Sequence, residues 1–283
     1  MHETCLGLRG WIRRAAHVIR EYATTLRIRE FRKHLVIFLL VQTSSDVFGQ
    51  TFLFFVLYDW NKTAAFASLL LGCTVVSLPL MPLFGKAVVK FGVRRLYAFA
   101  FAGMLLGVAW LALAWVLTGA LPSAVWMVLA VAASLWFFVF KALVGYLPWT
   151  VLVFMPDIDQ IVTRRYRSAT FSSVQSSLRQ LGSGIVTIGV GLVLTMVGFD
   201  SSLPRQSREA SIGIAAVMLG FYTVAMIVCW IVSSCLAINQ RTDFDVLHEV
   251  DRLRAGGDKT EVNASVRRTV ERLTGLSYEE CWK

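Results

Sequence analysis

Apolar residues run along this chain in six long blocks separated by short polar or basic stretches, a pattern that predicts six membrane-crossing helices. The blocks lie near 35–58, 64–84, 96–118, 123–147, 172–198 and 211–238. Each supplies the roughly 20 residues that a helix needs to cross ~30 Å of hydrocarbon. Pro79 and Pro82 mark a kink late in the second block, and Gly85 and Gly92 bracket a tight basic turn ahead of the third. The chain thus divides into a leader (1–33), a six-helix domain (34–238) and a tail (239–283). In the leader, apolar residues recur at helical spacing among eight bases, as in a basic amphipathic helix on a membrane surface or in a disordered positive segment. The tail predicts two short amphipathic helices, one carrying Val246, Val250 and Leu253, the other ending at Gly275, docked on the protein's own cytoplasmic face or, alternatively, on a peripheral partner.

Composition agrees with an all-α integral membrane protein. Hydrophobic residues make up 56% of the chain, mean hydropathy is +0.62 and only 16% of residues are charged, which excludes a soluble domain. The net charge of +10 comes from bases that flank the apolar blocks, so it points to topology and not to nucleic acid. Twenty-three Lys and Arg fall on one side of the alternating connections, against Lys62, Arg205 and Arg208 on the other. Both termini are therefore expected in the cytoplasm, with the chain in the cell's inner or plasma membrane. Cys5, Cys73, Cys229, Cys235 and Cys281 are scattered, which implies neither a disulfide framework nor a metal site. The four histidines lie outside the expected membrane core and no nucleophile or phosphate-binding motif is present, so no enzyme and no cofactor are expected.

The candidate chemistry is the polar residues within the spans. Gln42, Asp46 and Gln50 share one face of the first span, and Asp46 lies ~18 Å from its cytoplasmic end. It is the only acid inside the expected spans; it either faces a cavity or cation, or is a neutral, hydrogen-bonded structural acid. Lys141 in the fourth span and Arg179 in the fifth both sit ~10 Å from that edge, with Gln175 beside Arg179. Lys141 either lines a cavity or snorkels to the surface. Trp136 and Trp149 offer aromatic faces for a sugar ring. The third and sixth spans carry no charge and read as scaffold. Between the fourth and fifth spans a charged cytoplasmic loop holds Asp157, Asp159, Arg164, Arg165 and Arg167.

That loop and the helix after it carry a resemblance. Pro156-Asp157-Ile158-Asp159, Thr163, the arginine cluster, and Phe171-Ser172 through Gln175 to Arg179-Gln180-Leu181-Gly182 resemble the tenth-to-eleventh-helix region of the glycoside-pentoside-hexuronide:cation symporters, the melibiose-permease branch of the major facilitator superfamily. Residues 25–48 and 271–282 agree with it. The likeness covers nearly the whole chain and only the second half of the family's length. It implies one half of a facilitator-superfamily transporter, with the first, fourth and fifth spans lining a solute cavity. It also implies a sugar or glycoside substrate and coupling to Na+ or H+, whose acids in that family lie in the six helices missing here. Such a half requires a six-helix N-terminal-half partner or a homodimer. Two positions depart from the pattern: Val89 stands where an acid is usual, and Gln180 stands where melibiose permease itself has lysine, with Arg179 one place earlier. The alternative is a non-transporting membrane protein, either a remnant or a regulatory or interaction half.

Overall fold

The computed structural model describes residues 20–203 and 205–282; the expected leader helix lies mostly outside them. Every regular element among the described residues is helical, and six stretches are long and apolar enough to cross a membrane. The first joins α1 (Arg29–Phe54) to a π-helical turn, Phe55–Asp59. The second is broken into α2 (Ala64–Gly72), a 3-10 segment over Cys73–Leu80 that contains Pro79, and α3 (Met81–Phe91). Next come α4 (Val93–Val116) and α5 (Ser123–Leu152), followed by the short α6 (Met155–Thr163). The fifth span is α7 (Ser168–Met196), and the sixth runs through α8 (Arg208–Ala215), a π turn at Ala216–Gly220 and α9 (Phe221–Ser234). The tail forms α10 (Gln240–Arg254) and α11 (Ala264–Thr274).

The sequence-based bounds fall short where polar residues continue a helix past the hydrocarbon. α1 begins at Arg29, with Glu30 in its first turn where a carboxylate favours the helix dipole. α3 passes through Gly85 and ends only at Gly92 (φ 79°), so the expected loop over 85–95 is a one-residue break. α5 continues through Pro148 to Leu152, and Asp157 and Asp159 stand on α6, which leaves Arg164, Arg165 and Arg167 to the connection.

The described chain separates into two compact units. One comprises residues 36–150 and 178–236. Its centre is an aromatic cluster in which Phe48 stacks on Phe137 at 4.5 Å and meets Tyr222 edge-on. α4 and α5 approach closely because Gly103 and Gly107 lack side chains: a Cβ at Gly103 would lie 2.0 Å from the Phe140 ring. Burial is uneven among the spans. Only 11% of the most apolar stretch of the fifth span and 17% of the second are covered by protein, against 44–50% in the other four.

The other unit holds residues 20–35, 151–177 and 237–282 among those described. α10 and α11 pack on α6, burying Ile158, Ile161, Val246, Val250, Leu253, Val270 and Leu273. Arg164 closes α6 in the left-handed conformation (φ 60°), which costs a non-glycine residue about 1 kcal/mol or more. Its guanidinium offsets that cost by donating twice to the Trp282 carbonyl, at 2.7 and 3.1 Å, while the Trp282 N–H donates to the Ile161 carbonyl. Within this unit Glu249 accepts from Arg252 and from the Tyr278 hydroxyl. Burial alone would raise that carboxyl, but these bonds outweigh it and hold Glu249 below the usual carboxylate range.

Candidate functional site

α1 and α7 run side by side because small residues let them. A Cβ at Gly182 would come within 3.3 Å of the Thr43 methyl, and further along the Gln50 amide donates to the Thr187 hydroxyl at 3.1 Å. At this seam Arg179 donates to both oxygens of Asp46, Nη1 to Oδ2 at 2.6 Å and Nη2 to Oδ1 at 2.8 Å. Arg179 lies about one turn before Gly182 and Asp46 about one turn beyond Thr43, so the guanidinium must extend along the helices to meet the acid. The side chains are 29% and 16% exposed, so the pair is half-buried.

Lys141 on α5 completes the group. Its ammonium lies 4.9 Å from the Phe48 ring centre and 5.8 Å from that of Phe138, a cation held on two aromatic faces, and it feels the charge of Asp46. Three charges thus meet inside the spans, one acid against two bases. Gln42 sits one turn before Asp46 on the same helix, half-exposed.

Two expected members stand elsewhere. Trp136 is turned toward α4: its indole N–H donates to the Gly103 carbonyl at 2.8 Å, and its ring stacks on Phe140 at 4.9 Å. Its only donor and one face are spent there. Gln175 belongs to the unit that contains α6, where it is fully buried and bonds His34 Nε2 through its side-chain oxygen at 2.6 Å. Trp149 is about half exposed, with its ring edge-on to Phe38.

Sequence reasoning also missed residues. Phe48 and Phe138, which shelve Lys141, look like any other core phenylalanine in a linear chain. Nor is Asp46 the only acid in a span: the π turn carries the first helix on to Asp59, which is 5% exposed and accepts from the Ser211 hydroxyl of α8. The polar run Asp59-Trp60-Asn61-Lys62 made that position read as the start of a loop. Among the described residues no three His, Cys, Asp or Glu side chains gather as a metal site would require.

A family model described as MFS/sugar transport protein matches residues 11–240. No curated protein matches the chain.

Proposed function

On the premise that the chain belongs to the MFS/sugar transport protein family, we propose that it is one half of a cation-coupled sugar or glycoside symporter. In this reading α1, α5 and α7 form one wall of the solute site, and a six-helix complement or a second copy forms the other. Both termini lie in the cytoplasm and the chain sits in the cell's inner or plasma membrane. The observation that carries the proposal is the Asp46–Arg179 pair with Lys141 beside it. A forked ion pair inside an apolar span is costly unless it serves a polar pathway, and both partners make charge-assisted hydrogen bonds of the kind that hold sugar hydroxyls.

The charge balance bears on coupling. One carboxylate against two bases leaves the group net positive, so a metal cation would be repelled there. The coupling Na+ or H+ is therefore assigned to the complement. The test is binding of a radiolabelled glycoside panel to the assembled protein. Asp46→Asn and Arg179→Gln should each weaken binding by roughly 100-fold, since each removes a charge from the wall and leaves its partner without that forked pair. Lys141→Ala should cost less, because its charge is already met by two rings. Unchanged affinity in the first two variants refutes the site.

A second reading has its own support: both Asp46 oxygens already accept from Arg179, as in a structural staple between α1 and α7. A non-transporting membrane half built this way would lose thermal stability in the same variants and bind no glycoside before or after the change.

A further inference from the structure

The unit containing α6 has a cleft of about 510 Å³ that plays no part in the solute site. Its floor is closed. Asp159, 1% exposed, accepts from Arg167 Nη2 at 2.6 Å and Nε at 2.8 Å. Arg167 Nη1 donates to the Thr24 hydroxyl at 2.9 Å, and the Thr163 hydroxyl donates to Asp159 Oδ2. The bond to Asp159 holds the Arg167 guanidinium above its ordinary range, so the floor is a fixed, neutral ion pair with its donors spent.

The mouth differs. Arg20, Arg27 and Arg165 line it, and none of the three pairs with a carboxylate among the described residues. Among the described residues the two other acids of the cleft are Glu21 and Glu280, and one Glu280 oxygen already accepts from the Ser277 N–H and hydroxyl. Three guanidinium groups therefore face two carboxylates, with the remaining charge positive and the fork donors uncommitted. Ile28, Val162 and Leu276 give the same cleft an apolar wall. Guanidinium forks bond the oxygens of a phosphate in pairs, a doubly charged phosphate can engage several of them at once, and an apolar wall suits the body that a phosphate ester carries.

We propose that this cleft binds a phosphate-bearing anion through Arg20, Arg27 and Arg165. The group is either the headgroup of an anionic lipid or the phosphate of a soluble ester, and the proposal does not rest on the transport reading. The experiment uses the full chain in phosphatidylcholine nanodiscs, with equilibrium dialysis of radiolabelled inorganic phosphate at fixed ionic strength. In parallel, native mass spectrometry scores retention of phosphatidylglycerol. Saturable phosphate binding identifies the soluble source, and phosphatidylglycerol retention without it identifies the lipid; either supports the site. The Arg27→Gln/Arg165→Gln variant should weaken the bound probe about tenfold or more, and Arg27→Lys/Arg165→Lys, which keeps charge but loses the fork, should fall between. The lysine variant carries the test if the glutamine variant does not elute as a folded protein. Lys86→Gln/Lys90→Gln, bases on α3 and outside the cleft, should leave binding unchanged. Equal weakening in that control, full binding by the lysine variant, or failure of both probes to bind overturns the proposal.

Discussion

Asp46 and Arg179 are coupled, so their removal should not be additive. Either single neutralisation leaves a half-buried charge without its forked partner, at a cost of about 2 kcal/mol, whereas removing both leaves two polar groups able to bond each other. The double variant Asp46→Asn/Arg179→Gln is therefore expected to melt closer to the parent than either single, as measured by thermal unfolding in detergent. A melting shift equal to the sum of the singles would mean that the two charges act independently. These residues were legible in the sequence because charge inside an apolar block is conspicuous whatever the packing. Trp136 and Gln175 were not, since which side of a helix an aromatic or amide group serves depends on its neighbours, here Gly103 and Phe140 for one and His34 for the other. A second residue outside the spans shows its environment through pH. Burial, reinforced by the charge of Asp157, pushes the Asp243 carboxyl up to about 6. The folded chain then holds a proton that the unfolded chain releases near its ordinary value of 3.8. Stability contributed at this site is present below that value and is lost as pH rises through about 6. Asp243→Asn should flatten the fall in melting temperature between pH 4 and 6.5; an unchanged slope would place the titration elsewhere.

Among the elements, the number and order of the spans could be read from hydropathy, and their ends could not. The pattern registers where hydrocarbon stops, whereas a helix stops where its backbone hydrogen bonds do. That is why α1 starts before its apolar block and α3 runs on to Gly92. The interior of the second span shows the opposite case. Pro79 cannot donate to the helical ladder, and the kink expected from it appears as the 3-10 segment Cys73–Leu80. Contacts between elements depend on small residues whose role is silent in a linear reading. Gly103 admits the Phe140 ring to the surface of α4, so Gly103→Ala should destabilise the chain by about 2 kcal/mol through overpacking. Gly145→Ala, where a Cβ would meet nothing within 4 Å, should be neutral or slightly stabilising through helix propensity. Equal melting temperatures for the two variants would show that the α4–α5 approach is looser than the packing indicates.

At the scale of the whole molecule the question is what covers the second and fifth spans. Leu181, Ile185, Ile188 and Leu192 on α7 are each 60% exposed or more, and Leu78 and Leu83 on the second span exceed half. Lipid alone can cover such faces, but α7 also carries Arg179, and a helix that presents an ion pair near its seam gains from a protein neighbour that closes the pathway against hydrocarbon. Gly184 and Gly191 on the same helix, where a Cβ would meet nothing within 4 Å, permit close approach. We therefore propose association through α7, either with a six-helix complement or with a second copy. It can be checked with single cysteines placed in a background that lacks the native five. Ile185→Cys should resist a lipid-soluble maleimide with either partner, and on oxidation should form a disulfide only if that partner is a second copy carrying the same cysteine, while Leu106→Cys on the scaffold helix α4, which is 55% exposed, should label freely. If both positions label alike and native mass spectrometry gives the mass of one chain, α7 faces lipid and the solute site has no second wall.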